Sequence, residues 1–124
     1  MAEQKNSILA IDDDPMVLKV LTSVLTPSYE LHFSRSVEDA MDILSRLLPD
    51  LILLDIEMPG KSGFEFLQTI KKMPNLENIP VIIVSGHCEI EFVIYAERCG
   101  ACGVVAKPIN SDVLLKEIKK VLSK

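Results

Sequence analysis

Two uninterrupted apolar tetrads, Leu51-Ile-Leu-Leu54 and Val81-Ile-Ile-Val84, constrain the fold of this chain more than any other feature. A strand with one face in water alternates apolar and polar side chains, so a continuous apolar run belongs to a strand covered on both faces. Strands of that kind occur in parallel sheets flanked by crossover helices. Shorter runs fit the same scheme: Ser7-Ile-Leu-Ala-Ile11 as a first strand, residues 30–34 as a second and Gly103-Val-Val-Ala106 as a fifth.

Helical signals fill the intervals. Asp14 followed by Pro15 is an N-cap with proline at the first helical position, and Val17, Leu18, Leu21, Val24 and Leu25 recur at helical spacing up to Pro27. Ser36-Val-Glu-Asp39 resembles a capping box with Asp in the place of Glu or Gln; it opens a helix with Ala40, Ile43, Leu44 and Leu47 inward, ending near Pro49. Met58-Pro-Gly-Lys-Ser-Gly63 reads as a loop before a third helix carrying Phe64, Phe66, Leu67 and Ile70. Residues 89–98 form a fourth helix capped by Gly100, and Asn110 or Ser111 caps a fifth with Val113, Leu114, Ile118, Val121 and Leu122. The sum is (βα)5, an α/β doubly wound, five-stranded parallel sheet with right-handed crossovers. Ligands of such sheets bind outside the carboxyl ends of the strands.

A chain of 124 residues is expected to make one domain, residues 1–124. Hydrophobic residues make up 48% and charged residues 25%, the balance of a globular domain. The net charge of −5 and the lack of a basic run argue against a nucleic-acid binder working by phosphate neutralisation. Residues 1–6 have no signal-peptide pattern, and the longest apolar runs fall far below the roughly 20 residues of a membrane span. A cytoplasmic location is expected. Three cysteines, an odd number, speak against a disulfide framework. Cys99-Gly-Ala-Cys102, with His87 and Cys88, offers four zinc ligands by type, but about ten residues of helix, roughly 15 Å, would hold the two pairs apart.

The strand ends carry the chemistry. Asp12 and Asp13 follow strand one, Asp55 strand three, Ser85 strand four and Lys107 strand five. Clustered carboxylates repel one another, and a hard cation such as Mg²⁺ relieves the conflict with oxygen ligands. A carboxylate such as Asp55 can then attack phosphorus and form an acyl phosphate. The three equatorial oxygens of the transferring group would find Mg²⁺, the Ser85 hydroxyl and the Lys107 ammonium. Each residue also has a plainer reading. Strand-end aspartates cap helices, as Asp14 is expected to do; Ser85 could simply bond nearby backbone; Lys107 could be a solvated side chain. The combination, in order and at four ends of one sheet, is what points to function.

Several segments together resemble the receiver domain of bacterial-type response regulators, over roughly residues 7–122: Ile11-Asp-Asp-Asp-Pro15, Leu53-Leu-Asp-Ile-Glu-Met-Pro59 continuing to Gly63, Val84-Ser-Gly86, Gly100-Ala101 and Lys107-Pro108. The resemblance implies a flavodoxin-like sheet of order 2-1-3-4-5. It implies Asp55 as phosphoacceptor, with Ser85 and Lys107 contacting the phosphoryl group. It implies Mg²⁺ held by Asp13, by Asp12 mainly through metal-bound water, by Asp55 and by the backbone carbonyl of Glu57. A cis Lys107–Pro108 bond is expected. The implied partners are a histidine kinase or histidine phosphotransfer protein and a downstream target protein at the helix 4–strand 5–helix 5 face. The chain would catalyse only its own phosphorylation and dephosphorylation. Any output domain would lie outside this sequence.

The sequence departs from the family at Val104, where an aromatic switch residue is usual, and residues 100–103 lack the acidic pair common there. Glu57 and His87 stand two residues beyond Asp55 and Ser85, positions that tune phosphoryl loss in the family, so His87 is a candidate to influence the attacking water. Three rivals stand beside this reading. A binding module could signal without phosphorylation, consistent with Val104. A phosphohydrolase with an aspartyl nucleophile would need a second acid, for which Glu57 is a formal candidate. A flavin or nucleotide binder would need a glycine-rich phosphate loop that the chain lacks.

Overall fold

The computed structural model describes residues 5–58 and 63–123. Five strands alternate with five helices: β1 Ser7–Ile11, α1 Pro15–Leu25, β2 Glu30–Ser34, α2 Val37–Leu44, β3 Leu51–Asp55, α3 Gly63–Ile70, β4 Val81–Ser85, α4 Ile90–Arg98, β5 Gly103–Ala106 and α5 Ser111–Leu122. All strand pairs are parallel, in the order β2-β1-β3-β4-β5. The expected loop at 58–63 falls mostly on residues 59–62, outside the described residues.

Both apolar tetrads are buried throughout. The two-residue period of a strand divides them between two cores. Leu9, Ile11, Ile52, Leu54, Val81 and Ile83 pack under α2, α3 and α4, meeting Leu44, Phe66, Leu67, Ile70 and Ala96. Ile8, Ala10, Leu51, Leu53, Ile82 and Val84 pack under α1 and α5, meeting Leu21, Leu25, Leu114 and Ile118. Neither face is left to water, as the unbroken runs require.

The caps act as the sequence indicates. Asp14 accepts the Met16 N–H at 2.9 Å with Pro15 starting α1, and Ser36 accepts the Asp39 N–H at 3.0 Å. Asn110, not Ser111, caps α5 by accepting the Val113 N–H at 3.1 Å. The second helix is shorter than its apolar spacing suggests. It ends at Leu44, where Ser45 Oγ donates to the Asp42 carbonyl at 2.6 Å. A single further turn, closed by the Leu47 N–H on the Ile43 carbonyl at 2.9 Å, keeps Leu47 half-buried and so prolongs the helical pattern past the helix. Asp55 and Ser85 are the last residues of β3 and β4, not the first beyond them.

Two glycines permit close approaches. A Cβ on Gly63 would lie 2.8 Å from Ile56 Cδ1 and 3.2 Å from the Asp55 carbonyl oxygen, so α3 starts closer to the end of β3 than any side chain allows. Gly100 has φ +114°, a region L-residues avoid, and its missing Cβ makes room for the stem of Lys71. The Lys71 ammonium in turn donates to the carbonyls of Glu77 at 3.1 Å and Ile79 at 2.7 Å, pinning the α3–β4 connection beneath the α4–β5 turn. Gly100→Ala puts a methyl 2.9 Å from Lys71 Cγ on an unfavourable φ. The expected loss is about 1–3 kcal/mol of stability in urea unfolding; an unchanged midpoint would show that this turn relaxes freely.

Candidate functional site

The strand order sets the site. β1 and β3 are adjacent at the centre, so Asp12, Asp13 and Asp55 leave the sheet side by side. A carboxylate oxygen from each lies within 4.8 Å of the others, the one such group of potential metal ligands among the described residues. Asp12 and Asp55 are only 3% and 2% exposed, while Asp13 is half-buried. Buried carboxylates need partners. Asp12 Oδ1 accepts the Asp14 N–H at 2.9 Å, and Asp55 Oδ1 accepts the Glu57 N–H at 3.0 Å. Lys107 Nζ sits 3.2 Å from Asp12 Oδ2 and 3.2 Å from Asp55 Oδ1. The Lys107–Pro108 bond is cis, as expected.

Ser85 is fully buried. Its Oγ accepts the His87 N–H at 3.0 Å, and its carbonyl accepts the Lys107 N–H at 2.9 Å, which fixes the start of the lysine against the end of β4. The Glu57 side chain stays outside the carboxylate group. It turns to the β4–α4 loop, where Oε1 accepts the Gly86 N–H at 3.1 Å and Oε2 lies 3.4 Å from His87 Nε2. The backbone carbonyl assigned to Glu57 by resemblance leaves its side chain available for this contact. All the residues singled out at strand ends thus converge. Among the described residues His87, Cys88, Cys99 and Cys102 belong to no group of potential metal ligands, and all three cysteines are free.

Two contacts escape sequence reasoning. The Glu57 tie to Gly86 joins residues 29 apart. The Arg35 guanidinium donates to the Asp13 carbonyl at 3.2 Å across 22 residues and braces the acidic turn from β2. The place of Glu57 after Asp55 marks it in the sequence; nothing local marks Arg35.

The electrostatics follow from this packing. Burial raises the Asp12 pKa above the ordinary 3.8, and the Asp55 charge adds to the rise, against the Asp14 N–H and Lys107, which favour the anion. Burial acts to lower the Lys107 pKa, but the Asp12 and Asp55 charges and their hydrogen bonds outweigh it, and the net shift is upward. Lys107 is therefore a fixed cation wherever the protein is folded near neutrality.

Three acids, a hydroxyl and an ammonium thus stand at the carboxyl edge of a doubly wound parallel sheet, the arrangement of a signal receiver domain. Residues 8–119 match the family model of the response regulator receiver domain, and the chain belongs to that family. Sporulation initiation phosphotransferase F of Bacillus subtilis is 33% identical over 116 residues, covering 93% of this chain and 92% of its own length. Regulatory protein AtoC of Escherichia coli is 32% identical over 119 residues, covering 94% of this chain but 25% of its own length, so the similarity there extends over about a quarter of the relative. The solved signal receiver domain of a signal transduction histidine kinase from Syntrophus aciditrophicus is 31% identical, with a TM-score of 0.85, covering 95% of this chain and 90% of that one.

Because the folded Asp12 carboxyl holds its proton more tightly than an unfolded one, its contribution to stability falls as pH rises from 3.8 through its raised folded value. Asp12→Asn removes this penalty and keeps an acceptor for the Asp14 N–H. In metal-free buffer at pH 7.5 the variant is expected to melt a few degrees above wild type, on the scale of about 1 kcal/mol. The gap should close as pH is lowered through the Asp12 titration; a lower melting temperature at pH 7.5 would mean that the Lys107 pairing outweighs burial and repulsion.

Proposed function

We propose that this receiver takes a phosphoryl group on Asp55 and thereby switches a protein-binding surface. The observation that carries the reading is the Lys107 ammonium, 3.2 Å from both Asp12 and Asp55, two almost fully buried acids on adjacent strands. A purely structural ion pair needs one carboxylate; three gathered at a strand edge fit a cation and a phosphoryl group.

Asp13 and Asp55, with Asp12 through water and the Glu57 carbonyl, are the residues that would hold Mg²⁺. Bound there, Mg²⁺ supplies positive charge against the acids and the phosphoryl oxygens. An Asp55 oxygen attacks phosphorus, the phosphorus–nitrogen bond of a phosphohistidine breaks, and the histidine leaves with the bond's electron pair and takes up a proton. Lys107 pairs with one phosphoryl oxygen. Ser85 Oγ, already accepting the His87 N–H, directs its own proton to another. The donor is a histidine kinase or histidine phosphotransfer protein in the cytoplasm. The chain turns over no external substrate beyond its own phosphorylation and dephosphorylation.

The surface proposed to change is α4–β5–α5, which exposes Ile90, Ile94 and Tyr95 on α4 and Val113 on α5. This face suits a downstream protein. Direct nucleic-acid binding does not fit the net charge of −5, and among the described residues no helix is long and apolar enough to cross a membrane.

Incubation with acetyl phosphate and Mg²⁺ should retard the protein on a Phos-tag gel, and Asp55→Asn should abolish the shift. A wild type that never shifts would favour a module that signals without phosphorylation. Mg²⁺ should also raise the melting temperature: at a hundredfold excess over its dissociation constant, one bound ion adds about 2.7 kcal/mol. Asp13→Asn should lose most of that gain, whereas an equal gain in the variant would remove Asp13 from the ligand set.

A further inference from the structure

We infer that a chain of rings between α3 and α4, running from His87 through Phe92 and Phe64 to Tyr95, carries the phosphorylation signal to the exposed face of α4. The inference rests on the reading of Asp55 as phosphoacceptor and names the route by which its state reaches the surface.

The usual route is closed. Val104 occupies the β5 position where the family resemblance implies an aromatic ring; it is half-buried and packs into the core under α2, α3 and α4. A β-branched side chain has one stiff torsion and no ring to swing. Aromatic mass lies instead one helix interface away. The ring centroids of His87 and Phe92 are 6.1 Å apart, those of Phe92 and Phe64 5.7 Å, and those of Phe64 and Tyr95 4.8 Å. The last two contacts are edge-to-face, at 61° and 78°, the geometry in which ring quadrupoles attract. Tyr95 is half-exposed, beside Ile94 on the outer face of α4.

The inner end of the chain is wired to the phosphorylation site twice. Glu57 donates its N–H to Asp55 while its carboxylate holds the Gly86 N–H and faces the His87 ring. Ser85 Oγ holds the His87 N–H. A phosphoryl group on Asp55 disturbs the first contact and draws the Ser85 hydroxyl toward itself, so both anchors of His87 shift together. Close packing converts that shift into repacking of Phe92 against Phe64, and of Phe64 against Tyr95, rather than absorbing it. Coupling of this kind is a claim about energy shared between residues, and it needs a direct test.

The sequence provides the probe. The chain has no tryptophan and two tyrosines, Tyr29 and Tyr95, so Tyr29→Phe leaves Tyr95 as the only tyrosine emitter. Phosphorylation of Tyr29→Phe with acetyl phosphate and Mg²⁺, followed in parallel by Phos-tag shift and acrylamide quenching, should change the quenching constant by about twofold. Adding Phe64→Leu should leave the Phos-tag shift intact and abolish the quenching response. Phe92→Leu should do the same, and the double variant should lose no more than either single one. Circular dichroism of each variant confirms the fold, and the Phe92→Leu arm decides the matter if Phe64→Leu unfolds. A Phos-tag shift with unchanged quenching, or a response that survives both leucine variants, overturns the relay alone. A missing shift in Tyr29→Phe, where Asp55 and its partners are untouched, overturns the phosphoacceptor reading and the relay with it.

Discussion

The Lys107 ammonium between Asp12 and Asp55 is the interaction on which the rest of the site depends. Two carboxylates that are almost fully buried and share one sheet edge repel each other, and a cation between them offsets that repulsion. Lys107 resolves this from two strands away: β5 borders β4, and β4 separates it from β3. Its reach works only because its backbone N–H is fixed on the Ser85 carbonyl, at the register that pairs Ser85 with Ala106. Sheet registration and site electrostatics are therefore one constraint. A slip of β5 by one residue would move the ammonium off the acids and invert the side chains of that strand.

On the proposed reading, the same arrangement makes the site responsive. A lysine shared by two acids is held by charge from both sides, and any new anion on Asp55 changes that balance. Asp55 also holds the Glu57 N–H, and Ser85 holds the His87 N–H, so the groups that would meet a phosphoryl oxygen already organise the two neighbouring loops. A switch needs differential contacts in its two states, not a dedicated moving part.

How much of this could be read from the sequence depended on the range of each interaction. The apolar tetrads, the Asp14 and Ser36 caps and the limits of β1, β2 and β5 are local properties of strand and helix periodicity, and they match the structure closely. The acidic strand ends were also legible, because parallel topology brings all carboxyl ends to one edge. The apolar pattern runs past the second helix because Leu47 keeps helical spacing through a turn that is no longer helix. The Asn110 cap could not be told from Ser111 by residue type alone. The Glu57–Gly86 and Arg35–Asp13 contacts depend on which loops lie side by side, and no local pattern encodes that. The C-x-x-C spacing shows the converse: a legible motif without the geometry to support it.

Val104 brings these strands of argument together. By sequence it departs from the aromatic residue that the family resemblance implies there. In the folded chain it packs with the core beneath α4, while Phe64 and Phe92 are partly buried against that same core. Ring surface absent from β5 is thus present one layer out, between α3 and α4, where it touches the loop that follows Ser85. Close-packed interiors fix how much volume an interface must hold more tightly than which element supplies it. The packed rings lie on α3, α4 and the loop before α4, whereas the charged groups are tied to the positions of the strand ends.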